Sequence, residues 1–335
     1  MNNIKKVSQS RLTSIDAMRV ASLLAIILFH FNVEMIIKFG YQNVISWNGN
    51  RYIDLGQIGV GIFVIISGYS LMTSSRDASI IDFYKKRMLR ILPPFYISYI
   101  VCLLVLIIFN GGVNFNTSPH RFLLTLIGFD GYFNYRLQSF YITGEWFLGA
   151  IISLYIIFPL ARAIVKKSGN IAILITISLY EINHHFYSHI YKINEWNNII
   201  TMLVFFAFGM ALKEIKNASL ASLFYFLLCM LYIVFFRDID IVFTKITICI
   251  MLFIFVMTLF KIPVIAMIQS KKISYVANLG FYIFLVHHVL ISIVVSKLSK
   301  EGKPVNSYLQ FFIALSLSCA IGFICFKIHS RLSKK

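Results

Sequence analysis

The chain has 335 residues, of which 59% are apolar and 13% charged, against roughly 25% charged in soluble domains. With a mean hydropathy of +0.80 it has too little charge to cover its apolar surface in water, its 16% aromatic content excludes disorder, and its five cysteines lack the paired spacing of a disulfide scaffold. Lys and Arg number 31 against 13 Asp and Glu, a net charge of +18; in a polytopic membrane protein that excess belongs first to cytoplasmic loops and calls for no nucleic acid.

Crossing a bilayer takes roughly 20 apolar residues in a helix, the conformation that satisfies its own backbone polar groups. The first residues are polar and carry Lys5, Lys6 and Arg11. They read as a cytoplasmic segment over 1–14, without the apolar core of a signal peptide. Ten stretches then qualify in chain order: 15–37, 55–74, 91–110, 142–164, 170–188, 196–213, 218–236, 240–260, 273–297 and 306–328. The piece at 121–129 is too short to cross and is expected to be re-entrant or interfacial.

Basic residues cluster after every second stretch. Arg76, Lys85, Lys86, Arg87 and Arg90 follow the second; Arg162, Lys166 and Lys167 the fourth; Lys213 and Lys216 the sixth. Lys261, Lys271 and Lys272 follow the eighth, and Lys327, Arg331, Lys334 and Lys335 the tenth. Ten spans with both termini inside place all of these clusters in the cytoplasm. The expected fold is therefore all-α, a single membrane domain over 15–330 with a short tail at 331–335.

Ionisable residues inside a span cost a few kcal/mol and mark function by default. The first stretch holds Arg19, His30 and Glu34. Arg19 and His30 lie within about 20° of one helical face and about 16 Å apart along the axis. Arg19 either holds an anionic group at the cytoplasmic mouth or snorkels to the interface. His30 suits a general base that titrates near neutral pH, and Glu34 at i+4 suits orienting its imidazole. Arg87 and Arg90 share a helical face and fit either a phosphate clamp or an anchor to anionic lipid.

The small residues of Gly59-Val-Gly61 and Ser67-Gly68 suit close helix packing. Glu145 and Trp146 open the fourth stretch on the expected outer side. Glu145 suits an external acceptor site or simply the helix N-terminus, and Trp146 suits the aromatic belt. Glu181, His185 and His189 share a face near the outer end of the fifth stretch; the ligand signature is incomplete, so they read as a polar rim. His287 and His288 lie inside the ninth, about 100° apart, so that at most one is expected to face a given partner.

Four landmarks stand in order: Asp16-Ala-Met-Arg19 with Phe29-His30-Phe31; Gly59 through Tyr69; Phe83-x-x-x-Arg87-x-x-Arg90-x-x-Pro93; and Trp146-Phe-Leu with Tyr155-x-x-x-Pro159, followed by Tyr282-x-x-Leu285-x-His287. In these the chain resembles the acyltransferase 3 family of bacterial integral membrane acyltransferases, over residues 11 to about 330. The resemblance implies ten membrane helices in a bacterial inner or plasma membrane. It implies transfer of an acyl group, usually acetyl, from cytoplasmic acyl-CoA to a carbohydrate such as an O-antigen, capsule or exopolysaccharide unit. No metal is expected from the residues. The resemblance places His30 as catalytic base and Arg19, Arg87 and Arg90 toward the CoA. On our own reading of their positions, Glu145, Trp146 and His287 are expected on the acceptor side, and Glu145 is not carried over by the match. Many members carry a Glu five residues after the fourth-helix Trp; here that position is Ile151. The rival readings are a flippase for a lipid-linked sugar, which should show repeat-related halves, and a polysaccharide polymerase, which should keep its key arginines in outer loops.

Overall fold

In the computed structural model, ten helices of sixteen residues or more run through the described residues. They are α1 (Asn2–Phe39), α2 (Leu55–Ser74), α3 (Ile80–Asn110), α4 (Glu145–Lys167), α5 (Gly169–Ile190), α6 (Ile199–Glu214), α7 (Ala218–Phe236), α8 (Ile241–Leu259), α9 (Lys271–Lys297) and α10 (Ser307–Leu332). The structure describes residues 2–40, 53–74, 79–134, 136–190, 194–214, 218–262, 264, 271–300, 303–304 and 306–333, with backbone alone at 2–12, 187–190, 218–219, 300 and 303–304. Arg76, Lys216, Lys334 and Lys335, and the side chains of Lys5, Lys6, Arg11 and His189, lie outside the described residues.

The ten helices coincide with the ten apolar stretches, their ends agreeing within four residues except at two N-termini. The first exception is α1, which begins at Asn2, so the polar N-terminal segment is helical. The second is α3, which begins at Ile80 rather than 91. Ser79 starts it: its hydroxyl accepts from the Asp82 amide (3.1 Å) and donates to the Asp82 carboxylate (2.8 Å), a reciprocal cap. The Lys, Arg, Met and Leu residues that follow are strong helix formers and carry the helix through the arginine pair to Pro93 and Pro94.

Among the described residues, seven helical segments are long and apolar enough to cross a membrane: 13–39 of α1, and α2, α3, α4, α8, α9 and α10. Helix α6, with sixteen residues, rises about 24 Å, short of a hydrocarbon core of about 30 Å. Between α3 and α4, residues 119–133 form short helical turns at Phe122–Leu126 and Asp130–Phe133, far too short to cross. A two-residue strand pair (Ser299–Lys300 with Lys303–Pro304) joins α9 to α10.

The chain forms two compact units, and α1, α3, α4 and α9 each pass from one to the other. The first unit comprises 1–22, 50–84 and 153–277. Its centre is the crossing of α2 and α6. A Cβ on Gly68 would collide with the Phe206 carbonyl, and one on Gly209 with the Ile65 carbonyl, so both helices need glycine where their backbones touch. This is the close packing expected of the Gly59–Gly68 segment. In the same unit Ser67 donates to the Tyr155 hydroxyl (3.1 Å), and Lys245 donates to Gln57 (2.6 Å).

The second unit comprises 23–49, 85–152 and 278–335. Its α9 segment is its most enclosed part, with Ile283, Leu285, Val286, Leu290, Ile291 and Val295 buried. Gly322 of α10 packs against the backbone of Ile283, and Phe31 of α1 meets Phe311 of α10 edge-on.

Candidate functional site

His30, half-buried on α1, is the point on which the second unit converges. The His287 and His288 rings of α9 lie with their centroids 5.0 and 5.1 Å from that of His30, both edge-on. Nitrogens of His30 and His287 and a carboxylate oxygen of Glu145 all lie within 4.8 Å of one another. His288 Nδ1 is 3.3 Å from Glu145 Oε1. The expectation that only one of the adjacent histidines would face a partner fails here. Although the rings diverge by about 100° around α9, His30 projects between them and meets both.

Each member is fixed by its neighbours. His287 is fully buried, with Nδ1 2.5 Å from the Phe284 carbonyl oxygen. That oxygen can only accept, so Nδ1 carries the proton and Nε2 keeps its lone pair. Nε2 is buried and makes no hydrogen bond among the described residues. Phe284, one turn earlier, meets Phe147 of α4 edge-on.

Glu145 is held from its backbone outward. It opens α4 with φ +48°, a left-handed conformation that costs a non-glycine residue about 1–2 kcal/mol. Gly144 before it has φ +101°. Strain of this kind persists only where the surroundings enforce it, and it gathers at functional sites. Part of the enforcement is visible at Gly131, where a Cβ would come within 2.5 Å of the Glu145 carbonyl oxygen. The Tyr141 hydroxyl hydrogen-bonds the Glu145 carboxylate. Burial, with that carboxylate beside it, pushes the Tyr141 phenol well above its ordinary range. Asp130, beside Gly131, is buried, its Oδ1 accepting from the Gly131 amide (2.8 Å). Burial lifts its pKa to about 6.

The other sequence candidates are placed as follows. Glu34, half-buried on the next turn of α1, makes no hydrogen bond or ion pair among the described residues; the carboxylate gathered with His30 is that of Glu145. Trp146 meets Phe147 edge-on and makes no ring contact with the three histidines among the described residues. Ile151 is buried. Arg87 is half-buried and Arg90 exposed, both on the second-unit part of α3. Arg19 belongs to the first unit, where Nη1 bonds Asp16 (2.9 Å) and Nη2 bonds the Ser70 hydroxyl (3.4 Å). Asp16 accepts in turn from Ser274 (2.5 Å).

At the end of α5, His184 carries the polar contacts, while His185 meets Phe186 edge-on. His184 Nδ1 lies 2.6 Å from Glu195 and 3.8 Å from Asp240. Tyr180 donates to Asp240 (2.7 Å), whose other oxygen caps α8 by accepting from the Phe243 amide (2.9 Å). Both carboxylate oxygens of Asp240 thus have partners within the protein.

Sequence reasoning left His288, Tyr141 and Asp130 unassigned. For His288 the signal was present, a second imidazole inside an apolar span. For Tyr141 and Asp130 it was absent, because both sit in the segment between α3 and α4, outside any apolar span. Comparison with the curated proteins and with the solved structures finds no match. The model of the acyltransferase 3 family, an acyltransferase domain, matches residues 12–327, and the chain belongs to that family.

Proposed function

We propose that this acyltransferase moves an acetyl group from cytoplasmic acetyl-CoA to a sugar hydroxyl of a surface polysaccharide or its lipid-linked precursor. The multi-pass membrane character is plain from the apolar helices and the family. The observation that carries the reading is the convergence of His30, His287 and His288 on the Glu145 carboxylate, in a chain whose family performs acyl transfer. An acyl transfer to a hydroxyl needs a base near neutrality for the attacking oxygen and a way to hold that base in the right tautomer.

His30 is the base in this account. It takes the proton of the sugar hydroxyl as the oxygen attacks the thioester carbonyl. The tetrahedral centre then collapses, the carbon–sulfur bond breaks, and the CoA thiolate recovers the proton. The carboxylate of Glu145, paired with His288, stabilises the imidazolium that forms on His30. His287, its Nδ1 proton committed to the Phe284 carbonyl, presents no competing donor to His30.

Arg87 and Arg90 are assigned to the CoA phosphates, which planar guanidinium groups bind bidentately. Arg19, braced by Asp16, is assigned the same role. Ten spans with both termini cytoplasmic, in a bacterial inner or plasma membrane, remain the topology that the basic clusters support. The acceptor side takes Glu145, Trp146 and His287. The test is transfer of label from isotope-labelled acetyl-CoA into glycan, in membranes holding equal amounts of wild-type and His30→Ala protein. Loss of incorporation supports the base assignment, and wild-type incorporation by the variant removes it.

A further inference from the structure

We propose that the cluster of His30, His287 and Glu145 is a binding site for zinc, and that a bound zinc ion blocks acyl transfer. Two imidazoles and one carboxylate are the donor set of open zinc sites, in which a fourth position is left for water or another small ligand. The arrangement has the further features such a site needs. The ligand atoms lie within 4.8 Å of one another. Tetrahedral donors at the usual 2.0–2.1 Å from zinc stand about 3.3 Å apart, so the three must close by at most about 1.5 Å. His30 is only half-buried and can supply much of that movement by side-chain rotation.

The strongest independent sign is His287. Its Nδ1 proton is committed to the Phe284 carbonyl at 2.5 Å, and its Nε2 is buried and makes no hydrogen bond among the described residues. A histidine that spends one nitrogen on a backbone carbonyl and turns the other toward a cluster of donors is oriented as metal ligands are. His288, 3.3 Å from the Glu145 carboxylate, supplies the outer partner that ligating carboxylates take. Leaving such a lone pair unsatisfied in a buried site is costly, and a cation satisfies it.

The consequence for activity rests on the base assignment to His30. A lone pair shared with zinc cannot take a proton from a sugar hydroxyl, so metal and acceptor activation compete. The binding itself does not rest on that assignment.

The experiment uses the full-length protein in detergent, incubated with zinc chloride, passed through a desalting column, and analysed for metal by mass spectrometry. Wild-type protein is expected to retain about one zinc per chain. His287→Ala and Glu145→Gln are each expected to lower retention at least ~10-fold, whereas His184→Ala, outside the cluster, retains the wild-type amount. His287→Asn, which keeps a donor for the Phe284 carbonyl, serves if the alanine variant does not give monodisperse protein. Zinc should inhibit acetyl transfer and EDTA should restore it. Folded wild-type protein without zinc, or retention unchanged by loss of His287 and of Glu145, overturns the site. Zinc retained with acetyl transfer unaffected overturns the competition. Protein that retains zinc through the cluster but never transfers acetyl overturns the acyltransferase reading and leaves the zinc site standing.

Discussion

Gly131→Ala is the most informative change away from the reacting groups. A Cβ at position 131 would lie 2.5 Å from the Glu145 carbonyl oxygen, 2.6 Å from its carbon and 3.0 Å from Tyr141 Cε2. The obstacle is backbone, so no rotamer relieves it. Reaching even 3.0 Å, a separation tighter than nearly all real Cβ contacts, requires the two segments to part by at least 0.5 Å. That displacement falls on the one residue already held at φ +48°, and it carries the Glu145 carboxylate away from His288 and His30. Overpacking of this kind costs about 1–3 kcal/mol of stability, and a misplacement approaching 1 Å costs up to about 100-fold in rate. The prediction is a kcat lowered by about 10- to 100-fold with little change in KM for acetyl-CoA, measured on purified protein of wild-type monodispersity. Gly280→Ala is the control, because its Cβ would meet only Leu23 at an ordinary 3.5 Å; it should keep wild-type activity. A Gly131→Ala enzyme with wild-type kcat, or a Gly280→Ala enzyme equally impaired, would refute the claim that backbone packing positions Glu145.

Replacing Arg87 and Arg90 together by Ala should raise KM for acetyl-CoA about 10-fold or more with kcat largely kept, each lost charged hydrogen bond contributing about 1.5–3 kcal/mol; an unchanged KM reduces the pair to a topological anchor. Asp130 has its pKa raised from 3.8 to about 6 by burial, so the folded state holds the proton more tightly than the unfolded chain. Stability therefore falls as pH rises from about 4 to 6, by roughly 3 kcal/mol in all. Asp130→Asn, which keeps an oxygen for the Gly131 amide, should be more thermostable than wild type at pH 7 and lose that advantage near pH 4; thermal melts in detergent with the same gap at both pH values would contradict this. Gly209→Ala should lower the amount of folded protein recovered from membranes, because its Cβ collides with the Ile65 carbonyl across α2 and α6; wild-type yield and melting temperature would mean that the crossing relaxes freely.

Much of the fold was legible because membrane helices are written in a long-wavelength signal. Apolar runs located the ten long helices among the described residues, and the small residues around Gly68 marked a tight crossing. The α3 start was missed because residues 80–90 are charged. Their helicity comes from the Ser79 cap and intrinsic propensity rather than from hydropathy. The site was legible in part. His30, Glu145 and His287 were each visible as polar residues in or beside apolar spans. Their meeting was not, because positions 30, 145 and 287 are brought together only by tertiary packing, and spacing along one helix favoured the local partner Glu34. Local periodicity also argued against the pair His287 and His288 serving one ring, since a helical wheel has no way to represent a third side chain inserted between two others. The strained φ of Glu145 left no trace in its residue type, although Gly144 before it was the natural place for a turn.

The measurement closest to the central claim is proton NMR of surface glycan from three strains: wild type, a deletion of this chain, and the deletion complemented with His30→Ala at equal membrane abundance. An O-acetyl methyl signal is expected in the wild type and absent from the other two. An O-acetyl signal of wild-type size in the deletion strain, or its full restoration by the His30→Ala protein, would contradict that claim.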